Sequence, residues 1–427
     1  MPVLDARSYN CRDVGDGLIH DWNADASVTK PPVVLLDDET LRDGLQSPSV
    51  RSPSIGDKIR VLHLLDRLGV DTADIGLPGA GPHVVRDVER LAAEIDGSGL
   101  RIRPNCAART LVGDIQPIVD IVQRTGVPIE CCCFIGSSPI RRYAEDWSVD
   151  HLQRCTEEAV GFAVRQGLSV MYVTEDTTRS DPETLRRLFT TAVHAGASRI
   201  CIADTVGHAT PVGARAIVRF ARRTLDEVAS GIGIDWHGHR DRDMATANSL
   251  AALEAGATRV HGTVLGLGER AGNTPIDLLL VNLVLIGWLE RDLAPLSDLV
   301  RVVADATGEP VPDNYPVFGR DAFRTATGVH AAAVIKAFRK RDPGLADAVY
   351  CGVPASLVGR AQEIEIGPLS GRSNVVYWLE RRGIPMTDEL VDRVFRLAKA
   401  SRTVLKEQEV LREIELAKVY GTTRLDA

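Results

Sequence analysis

Between residues 33 and 290, short apolar, β-branched runs alternate with longer stretches in which apolar residues recur every three to four positions. The runs fall at Val33–Leu36, Thr72–Leu77, Leu100–Arg103, Pro128–Phe134, Ser169–Val173, Arg199–Ala203, Ile232–Trp236 and Arg259–Leu265, and each reads as a strand. The intervening stretches read as helices. "DKIRVLHLLDRLG" sets Ile59, Leu62, Leu65 and Leu68 along one helical face. "DPETLRRLFTTAVHAG" opens with Asp181 as N-cap and Pro182 in the first turn, and stops at Gly196. Strand and helix alternating eight times in roughly 260 residues predict an α/β fold, a (β/α)8 TIM barrel. The competing architecture, an open doubly wound sheet, would carry a glycine-rich phosphate turn after its first strand, and "LLDDETLRDG" is not one.

The beat breaks near Pro295. "GEPVPDNYPVFGRDAF" reads as a linker with turns. Helices are then expected at Gly328–Arg339, Ser373–Arg382 and Thr387–Lys418, with a loop-rich segment over Asp342–Gly371. The expected organisation is an N-terminal extension over residues 1–31, a barrel over 32–295, and a linker with small, mostly helical C-terminal subdomains over 296–427.

Composition narrows the class. Of 427 residues, 44% are hydrophobic and 25% charged, which is ordinary for a globular chain. The net charge of −8 argues against a nucleic-acid or membrane-surface partner. Eight cysteines, three of them consecutive at Cys131–Cys133 within an apolar run, suggest reduced thiols in a core. The first residues lack a signal-peptide pattern, and no apolar run approaches the roughly 20 residues that span a bilayer. A cytoplasmic protein is the expectation.

In such a barrel, chemistry gathers at the C-terminal ends of the strands. Four of those ends run into "DDETLRDGLQSP", "TEDTTRSD", "DTVGH" and "WHGHRD", and the eighth into "GLGERAGNTP". His237 and His239, two apart on an extended chain, face one side. A bare His-x-His pair is often one buried and one rim histidine. Here Asp43, Glu175, Asp204 and Asn273 are expected at the same mouth. Two imidazoles, a carboxylate and an amide oxygen make a mixed nitrogen and oxygen set suited to a catalytic divalent ion. Beside it, Arg42 is placed either to form an ordinary surface ion pair or to stabilise developing oxygen charge.

"DETLRDGLQSP", "DTVG", "HGHRD…ATANSLAALEAGA" and "GLGERAGN", in this order, resemble the alpha-isopropylmalate synthase/homocitrate synthase family, a group of metal-dependent barrel enzymes that also includes hydroxymethylglutaryl-CoA lyase. "ATGVHAAAVIKA" and "VYCGVPASLVGRAQEIEIGPLSGRSNVVYWL" resemble the segment that follows the barrel in the synthases. The resemblance implies metal ligation by Asp43, His237, His239 and Asn273, with magnesium, manganese, zinc or cobalt as the ion. It implies Arg42 beside the keto oxygen and Thr205 on the keto-acid carboxylate, with Gln46, Asp74 and Glu175 also around the substrate. It further implies His330 as proton carrier, with Tyr350 as its neighbour. The implied reaction joins acetyl-CoA to a 2-oxo acid and releases CoA, in a homodimer whose site is completed by the partner's post-barrel segment.

The chain departs from that pattern at Leu45, where the synthases usually have glutamate and the lyases resemble this chain. It departs also at Asp74, where glutamate is common, and at Arg240, where asparagine is usual. Arg141 and Arg142 read as surface charge or, if turned inward, as partners for a second anionic group. That would point to a homocitrate-, citrate- or phosphonomethylmalate-forming relative. Two other readings stand beside the synthase: a lyase that cleaves hydroxymethylglutaryl-CoA, and a non-catalytic relative. A separate regulatory domain is not expected.

Overall fold

A computed structural model describes residues 18–23 and 30–422. Most of the expected N-terminal extension lies outside the described residues. The chain forms two compact units: one of Trp22–Arg291 and Pro295–Pro310, the other holding residues 292–294 and 311 onward.

The first unit is a closed parallel barrel of eight strands: β1 (Leu35–Asp38), β2 (Thr72–Asp74), β3 (Arg103–Arg109), β4 (Glu130–Gly136), β5 (Val170–Glu175), β6 (Arg199–Asp204), β7 (Gly233–Gly238) and β8 (Arg259–Gly262). The seam closes between β1 and β8, with Leu35 opposite Arg259 and Asp38 opposite Gly262. Helices follow the strands, and local chemistry starts them. The Asp181 carboxylate accepts the Thr184 amide ahead of helix Pro182–His194, with Pro182 in the first turn. Ser54, Ser138, Ser148 and Thr210 cap other helices in the same way. The faces of these helices turned to the barrel are fully buried, as at Leu62, Leu65, Leu188 and Val218. Each such leucine contributes roughly 1.5–3 kcal/mol.

The third strand corrects the sequence reading. It runs Arg103–Arg109, "RPNCAAR", not Leu100–Arg103. Its Pro104 and Asn105 and its small residues hide it from a β-branched pattern. Ala107 pairs with Cys132 of β4 all the same, and Asn105 donates to Asp37 Oδ1 at 2.7 Å. The residues just before it are turned by Asp66, whose carboxylate accepts the amides of Arg101 and Ile102. The eighth strand ends at Gly262, short of Leu265, in a turn over Val264–Gly266.

In the second unit, helix Gly328–Arg339 lies where the sequence places it. The segment expected as loop holds a short helix, Pro343–Ala348, and Glu363–Ile364, which pairs in parallel with Arg324–Thr325. The long C-terminal helix is instead two, Asp388–Ala400 and Glu407–Thr422. The break is fixed by Ser401, whose hydroxyl donates to the Ala398 carbonyl, and by Leu405, whose amide donates to Ile366. Trp378, Leu379, Val391, Val394, Val410 and Ile414 form this unit's main core. No helix among the described residues is long and apolar enough to cross a membrane.

Candidate active site

The C-terminal ends of the strands surround a cavity of about 250 Å³. On one side, β1 delivers Asp43 through the turn that follows it, and β7 delivers His237 and His239. His237 Nε2 stands 3.6 Å, and His239 Nε2 3.7 Å, from Asp43 Oδ2. Ligand atoms of all three lie within 4.8 Å of one another, which is a possible metal-binding group. Burial, then the neighbouring His237, pushes His239 down to about 4, so its imidazole is neutral at ordinary pH. Asn273 pairs with His239 through a backbone bridge; its Oδ1 is buried with no hydrogen-bond partner. Asn273 is not in the cavity lining, but an unpartnered amide oxygen on a residue bridged to His239, taken with two imidazoles and a carboxylate, fits the donor chemistry of a divalent cation of oxygen and nitrogen preference. Two glycines make the Asn273 turn possible. At Gly268, φ is +148° and a Cβ would fall 2.2 Å from Asn273 Nδ2; at Gly272 it would fall 1.8 Å from the Gly266 carbonyl oxygen.

Arg42 also faces the cavity and is held from three sides. Its Nε donates to Asp74 Oδ2 at 2.6 Å and Nη2 to Glu39 Oε1 at 2.8 Å, while Nη1 stands 3.2 Å from Asp43 Oδ1. Asp74 is buried beneath the guanidinium and does not line the cavity. Burial pushes Asp74 up to about 7, against the pull of Arg42.

The remaining candidates divide. Gln46, Thr205 and Glu175 line the cavity. The Thr205 hydroxyl accepts the Asp176 amide at 2.8 Å. Glu175 is raised by burial and stands 3.4 Å from Arg141, outside the cavity lining. Arg142 pairs with Asp181 and Arg240 donates to the Ala271 carbonyl; neither lines the cavity. Asp204, expected at the mouth, accepts the Thr178 hydroxyl and the His208 and Ala209 amides, and so closes the turn after β6. His330 and Tyr350 belong to the second unit, where their rings stack at 4.4 Å between centroids.

Several residues that shape the site were not singled out from sequence. Glu39 and His261 line the cavity, Asp235 and Arg259 are buried in the barrel interior behind them, and Glu269 and Arg270 also belong to the lining. The available signal was period two: Asp37 and Glu39, Asp235 and His237, and Arg259 and His261 each put two polar groups on one strand face.

A family model described as HMGL-like matches residues 34–303. The chain is 35% identical over 378 residues to a probable 2-isopropylmalate synthase of Methanopyrus kandleri, covering 86% of this chain and 70% of the other. It is 35% identical over 373 residues to a homocitrate synthase of the same organism, covering 87% and 88%. The crystal structure of Bacillus subtilis HMG-CoA lyase shares the fold, with a TM-score of 0.55 and 22% identity over 67% of this chain and 96% of that one. On the family match and these relatives, the chain belongs to the HMGL-like family and is an enzyme of the condensing-synthase type.

Proposed function

We propose that the protein condenses acetyl-CoA with a 2-oxo acid whose side chain is apolar, and that water then hydrolyses the thioester of the product to release CoA. The observation that carries this is the two-sided cavity. Arg42, Asp43, Gln46, Thr205, His237 and His239 line one part, and Leu77, Ala107, Phe134, Met171 and Val173 line the other. The polar part suits a keto group with its carboxylate. The apolar part suits a branched aliphatic side chain. Arg141, Arg142 and Arg240 lie outside the lining, and Arg270, which is in it, is already engaged by Asp241 and the Thr205 carbonyl. A second substrate anion therefore has no uncommitted cation to meet in the cavity.

Asp43, His237 and His239, with the Asn273 amide oxygen, would hold a divalent cation, which when bound supplies Lewis-acid polarisation of the ketone. Arg42 stands where it balances the oxygen charge that builds as the carbanion adds. Thr205 and Gln46 orient the acid. We assign proton transfer at the acetyl methyl to His330, with Tyr350 stacked on it. Both are exposed, and in a homodimer they would be offered to the partner chain's cavity. A histidine suits that role, since its ordinary pKa is about 6.5.

The test is release of free thiol from acetyl-CoA with a panel of 2-oxo acids. 2-Oxoisovalerate is expected to exceed 2-oxoglutarate, oxaloacetate and phosphonopyruvate by at least about tenfold in kcat/KM, the scale of a mismatched pocket contact. A preference for any of the three dianionic acids would overturn the side-chain assignment and favour homocitrate-type chemistry. No release with any acid would overturn the condensation itself.

A further inference from the structure

From the cavity lining down into the barrel interior, Glu39 after β1, His261 and Arg259 of β8, Asp235 of β7 and Glu130 of β4 form an unbroken series of alternating charges. Arg259 Nη2 donates to Glu130 Oε2 at 2.7 Å and its Nε to Asp235 Oδ2 at 2.5 Å. His261 Nε2 stands 3.0 Å from that same Asp235 oxygen, and its Nδ1 3.2 Å from Glu39 Oε1. The other Glu39 oxygen, Oε2, stands 2.7 Å from His237 Nδ1. The contact is an ion pair and not a hydrogen bond, and Oε2 has no hydrogen-bond partner. The side chains of Glu39, His261, Asp235 and Arg259 are 4%, 1%, 0% and 3% exposed, so water does not replace these contacts. A barrel interior of this kind is ordinarily filled by branched apolar side chains. Buried charge in their place costs several kcal/mol per unpaired ion, so each member is held by its neighbours.

We propose that Glu39 is the positioning residue for His237. A carboxylate oxygen and an unprotonated imidazole nitrogen 2.7 Å apart repel each other, so we place the proton on Nδ1. That leaves the Nε2 lone pair free on the side facing Asp43 and His239. His261, engaged on both ring nitrogens, braces Glu39 from below, and Arg42 braces it from the side. The ring is thereby fixed in both tautomer and direction before any cation arrives. Such a carboxylate behind a ligating histidine typically governs metal affinity by about 10- to 100-fold. Glu39, His237 and His261 also form a possible metal group by proximity. With both His261 nitrogens engaged by carboxylates, this ring acts as a donor and not as a ligand.

The inference rests on the reading of Asp43, His237 and His239 as a cation site, and its test separates the two. Metal-stripped full-length protein is titrated with Co²⁺ by calorimetry. Wild type is expected to bind one ion per chain, and Glu39→Gln to bind one ion about tenfold or more weakly, with the metal-free variant folded but melting below wild type, because Arg42 and His261 lose a charged partner. Wild-type protein that takes up no Co²⁺ overturns the cation site itself. Binding by Glu39→Gln within twofold of wild type overturns the positioning role alone. So does a fall from two ions to one, which would make Glu39 a ligand. Should the variant fail to fold, ¹⁵N-histidine spectra of Zn²⁺-loaded wild type decide. A proton on His237 Nδ1 supports the proposal, and a proton on Nε2 overturns it.

Discussion

The two walls of the cavity are built to opposite rules. The wall at β1, β7 and β8 is crowded with ionisable groups, each committed to another: Arg42 to Asp74 and Glu39, His261 to Asp235, His237 to Glu39. The wall at β3, β4 and β5 presents Ala107, Phe134, Met171 and Val173. It even includes Cys132, whose thiol is pushed well above its usual range by burial. The first wall gains its directionality from fixed charges in a dry interior, where they act more strongly than in water. The second gains selectivity from shape and from what it lacks. On the proposed function, the contrast makes reaction and substrate preference separable in this chain, with the two assigned to different strands.

Changes to the charged wall should then be the most damaging. Asp43→Ala or His237→Ala is expected to remove bound metal and reduce thiol release to background, checked by metal analysis and turnover on the same sample. Arg42→Ala should lower kcat by about 10²- to 10³-fold. Arg42→Lys should restore little of it, because lysine cannot donate to Asp74 and Glu39 in a fork. The apolar wall should respond differently. Val173→Arg is expected to lower kcat/KM for 2-oxoisovalerate and raise that for 2-oxoglutarate, shifting their ratio by about 10-fold or more, while metal content stays the same. An equal loss with both acids would break the division between the walls. The smallest effect is expected from Arg141→Ala. This residue is outside the cavity lining and pairs with the half-exposed Glu145 and with Glu175, and kcat/KM should stay within about twofold.

The barrel was legible because its signal is repetitive: apolar runs and helical faces recur, and a cap such as Asp181 is decided by four consecutive residues. β3 escaped because Pro104 and Asn105 break the apolar run, and only the Asp37 carboxylate across the barrel explains why Asn105 is tolerated there. The site was legible as a set of strand ends, which is how Asp43, His237 and His239 emerged. Position at a strand end does not give direction. Asp74 and Asp204 both sit at strand ends, yet one turns under Arg42 and the other onto the amides of its own turn. Glu39 and His261 were hidden for a different reason. One lies in an acidic cluster and the other in the apolar run "RVHGTVL", and their separation of 222 positions is bridged only when the barrel closes.

The central claim is that one divalent ion, held by Asp43, His237 and His239, is required for condensation. The direct measurement is thiol release from acetyl-CoA and 2-oxoisovalerate by metal-stripped protein during stepwise reloading with Co²⁺, alongside the visible Co²⁺ spectrum. The account predicts no release without metal, a linear rise that saturates at one ion per chain, and a spectral shift on adding the 2-oxo acid. Full release by the stripped protein, or a Co²⁺ spectrum unchanged in His237→Ala, would contradict it.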